Sequence, residues 1–178
     1  MYVFNRKWFD RNALAGSDKL GQRIDGLLRL GDGVRLPYEG VWVYNGTSAA
    51  LVSGGLYVLH ASANEAQNPI ILTSVAGSGT GASNDFVVAL EETADGAVGP
   101  VAFKGYCFGL VESTQDIADA DFLKGPTAST LSDNLNFMMQ DSATKASAAT
   151  VARACGARTA NDKGLILVNL YGKGNRTI

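Results

Sequence analysis

Phe86-Val87-Val88-Ala89-Leu90-Glu91, followed by Ala94-Asp95-Gly96-Ala97 and then Val98-Gly99-Pro100-Val101-Ala102-Phe103-Lys104, is the stretch whose reading decides the fold. The first run is β-branched and apolar and reads as a strand. Asp95-Gly96 supplies a tight reversal. Residues 98–104 read as the next strand, with Gly105 as a bulge or a point of close packing. Tyr106-Cys107-Phe108-Gly109-Leu110-Val111 completes it.

The same grammar extends upstream. Val41-Trp42-Val43-Tyr44 is β-branched and aromatic, and Asn45-Gly46 follows it. Asn-Gly predicts a two-residue type I′ hairpin, because both central residues of that turn need positive φ. Ala50-Leu51-Val52, a Gly54-Gly55 break and Leu56-Tyr57-Val58-Leu59-His60 come next. After a polar loop ending at Pro69, Ile70-Ile71-Leu72-Thr73-Ser74-Val75 is a further strand candidate.

Downstream, residues 119–126 read as a turn, a short strand and a stop. Residues 127–150 are rich in Ser, Thr, Ala and Asn around one apolar core at 135–139. The Ala-rich residues 148–154 suit a turn of helix, and residues 164–171 a final strand. Many short strands between turn residues, with no long helix to cover a parallel sheet, predict an all-β fold. It is a small β-barrel or sandwich of short antiparallel strands with an extended N-terminal arm.

The arm is residues 1–37, and residues 38–178 form the barrel-like domain. Leu20, Ile24, Leu27 and Leu28 fall at i, i+4, i+7 and i+8, so the arm is partly extended or holds a short helix. Gly21 and Gly26 weigh against the helix. Residues 1–35 hold seven basic and four acidic side chains, a net +3 that leaves −5 on the remainder of a chain of net charge −2. Arg6, Lys7, Trp8, Phe9 and Arg11 are candidate protein-interface anchors, since Trp and Arg concentrate at binding hot spots. The arm either orders on a partner or wraps back onto its own domain.

Composition narrows the function classes. Apolar residues are 46% of the 178, ample for a core. Charged residues are 18%, against about 25% in ordinary domains. An overall net charge of −2 carries no nucleic-acid signature. No apolar run approaches the roughly 18 residues that span a bilayer, and no h-region follows Arg6 and Lys7. Nucleic acid and membrane are therefore not expected partners. Cys107 and Cys155 read as buried free thiols, and the one histidine, His60, cannot anchor a metal cluster.

Other motifs are weak. Gly77-Ser78-Gly79-Thr80-Gly81 lacks the GxGxxG spacing and the following helix of a dinucleotide turn, so a mobile loop is the better reading. Glu91 and Glu92 are adjacent and point to opposite faces of a strand. Asp116, Asp119 and Asp121 lack the glycine and late glutamate of a calcium loop and read as turn residues. His60 has no partner arrangement that spacing can supply. No cofactor, metal or catalytic residue is predicted, and the chain is not expected to be an enzyme.

The run "FVVALEETADGAVGPVAFKGYCFGLV", residues 86–111, resembles the core of head decoration, or cement, proteins of tailed bacteriophages and prophages. Their pattern is an apolar strand ending in "GVAL(E)", an acidic-Ala-Gly turn, and a strand carrying a glycine that falls here at Gly105. Ala118-Asp119-Ala120-Asp121-Phe122-Leu123 is similar to their "A-x-G-D-x-L" element, with Ala120 where the family often has glycine. An Ala/Arg-rich stretch, residues 151–160, then precedes a closing strand. The likeness covers roughly residues 54–171 and is one of order and texture. Residues 127–150 are longer than the pattern, and the leader has no counterpart.

The resemblance implies a barrel-like homo-oligomer, a trimer, on the exterior of an icosahedral capsid. There it would bridge major capsid protein subunits after meeting them in the host cytoplasm during assembly. Another virion component (tail, fibre or minor capsid protein) has compatible strand grammar, although fibres usually show repeats and none occurs here. A small β-barrel ligand-binding module is the third reading, and it would need a polar pocket.

Overall fold

The computed structural model describes residues 17–59, 71–75, 85–111, 117–125, 138–142, 150–157 and 162–168. The described residues are all-β. The strands are β1 (Arg23–Arg29), β2 (Arg35–Asn45), β3 (Leu56–Leu59), β4 (Ile71–Val75) and β5 (Asp85–Ala89). They continue as β6 (Val98–Val111), β7 (Phe122–Lys124), β8 (Met139–Ser142), β9 (Thr150–Ala154) and β10 (Asp162–Val168). Short 3-10 turns occupy Ser17–Lys19 and Gly31–Gly33.

The strands join in the order β1-β2-β4-β3-β5-β6-β10-β9-β7-β8, and β2 also pairs with β6. That extra contact curls the sheet back on itself, so β2, β4, β3, β5 and β6 follow one another in a circuit of pairings. The sheet as a whole is not one closed barrel, since β1 and β8 stand at its ends. Strand pairs are antiparallel except β2 with β4, which run parallel over Tyr44↔Ile71 and Asn45↔Leu72.

Two cores explain the unbroken apolar run at residues 86–90. Side chains alternate across a strand with period two. Val87 and Ala89 enter one core with Val41, Val43, Leu51, Tyr57 and Val101. Val88 enters the other with Leu56, Ala102, Cys107, Ile117, Leu123 and Ile166. Leu56 and Tyr57 of β3, residues 87–89 of β5 and residues 98–102 of β6 are thus buried on both faces, which requires apolar or small residues at successive positions. Each large side chain sequestered this way contributes about 1.5–3 kcal/mol. Tyr57, in the first core, keeps its hydroxyl satisfied by accepting the Val52 N–H at 2.7 Å.

β6 serves both halves. Residues 98–105 pair with β2, and residues 105–111 pair with β10. The change of partner falls on Gly105, whose φ is +89°. A Cβ there would collide with the Pro37 carbonyl oxygen and the Tyr38 Cα. The expected close-packing glycine is therefore present at that position.

Three local expectations give way. Residues 20–28 hold no helix: residues 23–29 are strand β1, paired in register with β2 from Arg23↔Val41 to Arg29↔Arg35. Asn45-Gly46 does not make a two-residue hairpin. The Asn45 side chain is buried and binds the loop that follows, and Ser48 takes the positive φ of 65°. Residues 150–154, read as a turn of helix, are β9, held between β10 and β7. Alanine's helix propensity yields there to pairing and to burial of Val151, Ala152 and Ala154.

Both cysteines are free thiols, Cys107 buried and Cys155 half-buried. Burial, with a smaller contribution from Cys155, pushes the Cys107 thiol up to about 12. Burial first, then the Asp119 carboxylate, raises Cys155, against the opposing Arg153. A thiol reagent is expected to label Cys155 well before Cys107 in the native chain, as read by mass spectrometry. Equal rates would show that the second core opens. The raised Cys107 value contributes stability that is intact below its ordinary 9.0 and is lost as pH rises toward about 12.

Candidate interaction surface

Position 37, the expected edge of the arm, falls inside β2. Residues 23–37 therefore stand on the body as a two-stranded ribbon continuous with it. Its root is well held. Gly21, at φ +81°, donates its N–H to the Trp42 carbonyl at 2.9 Å, and the Trp42 N–H returns to the Gln22 carbonyl at 3.0 Å. The Lys19 ammonium sits 4.3 Å over the Trp42 ring. Residues 23–29 thus pair along β2, with residues 35–37 of the arm itself and residues 38–41 of the body.

The ribbon has two unlike faces. Ile24, Gly26, Leu28, Leu36 and Tyr38 share one face and are half-buried. Tyr38 lies where a Cβ on Gly26 would fall, so the glycine lets the ring cross the ribbon. The other face carries Arg23, Asp25, Leu27 and Arg29 opposite Val41, Glu39, Pro37 and Arg35. Arg23 stands 5.9 Å over the Phe103 ring. Glu39 pairs with Lys104 at 2.6 Å, an exposed contact of small net value.

Leu27, 54% exposed, and Val34, 47% exposed at the ribbon's end, are the most open large apolar side chains among the described residues. The end itself is closed by the Leu30 N–H donating to the Val34 carbonyl at 3.0 Å.

The predicted anchors Arg6, Lys7, Trp8, Phe9 and Arg11 lie outside the described residues, as do His60, Asp116 and the glycine loop at 77–81. The ribbon extends the basic, apolar texture of that leader onto the described structure. Its alternating exposure was the feature that the helical reading of residues 20–28 obscured.

Asp119 and Asp121 act as turn carboxylates. Asp121, 2% exposed, accepts the Ala118 N–H at 2.9 Å, and Asp119 accepts the Gly156 N–H at 2.7 Å. Between them Ala120 has φ +72°, and its carbonyl accepts the Arg153 Nε–H at 3.0 Å. Left-handed backbone costs a residue with a Cβ about 1–2 kcal/mol, partly offset by glycine's greater freedom when unfolded. Ala120→Gly is expected to stabilise the chain by about 0.5 kcal/mol. A higher urea midpoint at unchanged slope would be the signature.

No protein-family model matches this chain, and no curated protein matches it. Among the described residues, no three His, Cys, Asp or Glu side chains are grouped to hold a metal. What the ribbon offers chemically is apolar burial, salt-sensitive charge and main-chain hydrogen bonding.

Proposed function

We propose that this chain is a structural virion protein that binds the outside of an icosahedral capsid and bridges major capsid protein subunits. The observation that carries this reading is the ribbon: a firmly rooted projection with exposed Leu27 and Val34, standing on a body with two packed cores. A cement must be rigid enough to carry load and must present adhesive surface beyond its own core. The family resemblance supports the capsid as the surface. Its residues fall on β5 and β6, which contribute to both cores, and on the Asp119–Asp121 turn, β7, β9 and β10, which build the second.

The mechanism is burial of surface across subunits that internal pressure separates, without catalysis or cofactor. The protein acts as a homo-oligomer, a trimer by the resemblance. Several weak contacts of one oligomer then raise the effective concentration of the rest.

Capsids prepared with and without the protein test the proposal. The chain is expected to co-sediment with expanded capsids and to raise the temperature at which they release DNA. Capsids equally resistant to heat and low salt without it would overturn the cement role. Antibody labelling confined to tails would assign it to another virion part.

A further inference from the structure

β1 is an edge strand. Among the described residues, no strand pairs with its outer side. Which groups face outward follows from the hydrogen bonds at the two ends of the ribbon. Gln22 accepts from Trp42, and Leu30 donates to Val34. Bonded pairs recur at every second residue of an antiparallel ladder. The main-chain groups of Ile24, Gly26 and Leu28 thus turn toward β2, and those of Asp25, Leu27 and Arg29 turn outward.

Such an edge is a template for another strand. On the free side of β2, Pro37 lacks the N–H that pairing would need, which blunts that edge. β1 has no such guard. Its charges are also placed unfavourably within one chain: Asp25 lies opposite Glu39, and Arg29 opposite Arg35. Like charges directly across a ladder destabilise it.

We propose that β1 pairs with β1 of a second copy, antiparallel about a two-fold axis at Leu27. This register places Asp25 against Arg29 of the other copy, twice by symmetry, and Leu27 against its own equivalent. It keeps the outward main-chain groups in phase on both strands. Across the four strands, each acidic pair Asp25/Glu39 meets a basic pair Arg29/Arg35, and Leu27 and Pro37 form a central apolar row. Centring on Gly26 would set Arg23 against Arg29, and centring on Asp25 would set that carboxylate against itself. The charge pattern selects the Leu27 register. The contact goes beyond capsid binding and does not depend on it.

Sedimentation velocity of the full chain over a dilution series tests it. The expected result is a reversible step between two species differing twofold in mass, whatever other contacts the oligomer contains. Asp25→Arg and Arg29→Asp each alter an exposed side chain and should each weaken that step at least tenfold. Mixing the two variant proteins should restore it, because each then supplies the charge that the other lacks; a protein that had merely misfolded could not be rescued this way. A wild-type chain of single mass at every dilution would overturn the pairing and leave the edge to a strand of a different protein. A twofold step indifferent to both reversals, or no recovery on mixing, would overturn it as well.

Discussion

Gly105→Ala is expected to destabilise the chain by about 3–4 kcal/mol, the combined cost of a left-handed residue with a Cβ and of an overpacked contact. At φ +89° the new methyl group points at the Pro37 carbonyl and the Tyr38 Cα. Both are backbone atoms, so no side-chain rotation relieves the contact. Relief requires β2 to move off β6, at the point where β6 passes from β2 to β10. The nearby Glu39–Lys104 pair is exposed and offsets little. Urea unfolding measures the loss, and amide exchange at Gly40 and Val41 should quicken. Gly31→Ala is the control, since a Cβ there meets nothing within 4 Å and should change stability little. A Gly105→Ala loss as small as the control's would mean that the two halves of β6 are not rigidly spliced.

Gly105 was legible in the sequence because glycine between two apolar runs has few explanations. The β5–β6 reversal at Asp95-Gly96 was legible for the same reason, and Gly96 has φ +74°. Other features depend on partners that lie far along the chain. Residues 86–90 identify a strand, yet burial of both its faces follows only from the way β7, β9 and β10 pack over β5 and β6.

Residues 23–29 satisfy two periods at once. Ile24, Leu27 and Leu28 suit a helix stripe, whereas Arg23, Asp25 and Arg29 alternate as on a strand. Pairing with β2 decides between them, and that information sits in residues 35–41. The charge arrangement along β1 becomes meaningful only once Glu39 and Arg35 are known to lie across from Asp25 and Arg29. Val151-Ala152-Arg153-Ala154 likewise becomes a strand because β10 and β7 hold both of its edges.

Asn45 shows how a strong local signal can be turned to another use. Its buried Nδ2 donates to the carbonyls of Ala49, Thr93 and Ala94 at 2.8, 3.0 and 3.1 Å. Its Oδ1 accepts from the Thr47 N–H and hydroxyl at 3.1 and 2.7 Å. One side chain thereby ties the end of β2 to its following loop and to the turn before β6. Asn45→Ala is expected to cost about 3–5 kcal/mol, at roughly 0.5–1 kcal/mol for each of the five hydrogen bonds lost. The three carbonyls do not become orphans. Thr93 still accepts from the Leu51 N–H and Ala94 from the Ala97 N–H, and the Thr47 hydroxyl, released from Asn45 Oδ1, can turn to the Ala49 carbonyl.

Asn45→Asp separates donation from shape. The aspartate fills the same space but turns a carboxylate toward three carbonyl oxygens, so at neutral pH it should be less stable than the alanine chain. Those carbonyls favour the protonated acid and raise its folded pKa. The aspartate chain should therefore be most stable below the ordinary carboxylate range and lose that stability as pH rises through the raised value. Urea midpoints between pH 4 and 7 (roughly the span over which a raised carboxyl titrates) measure this. If the aspartate chain equals the alanine chain and keeps a flat profile, Asn45 acts there by shape alone and the amide donors contribute nothing.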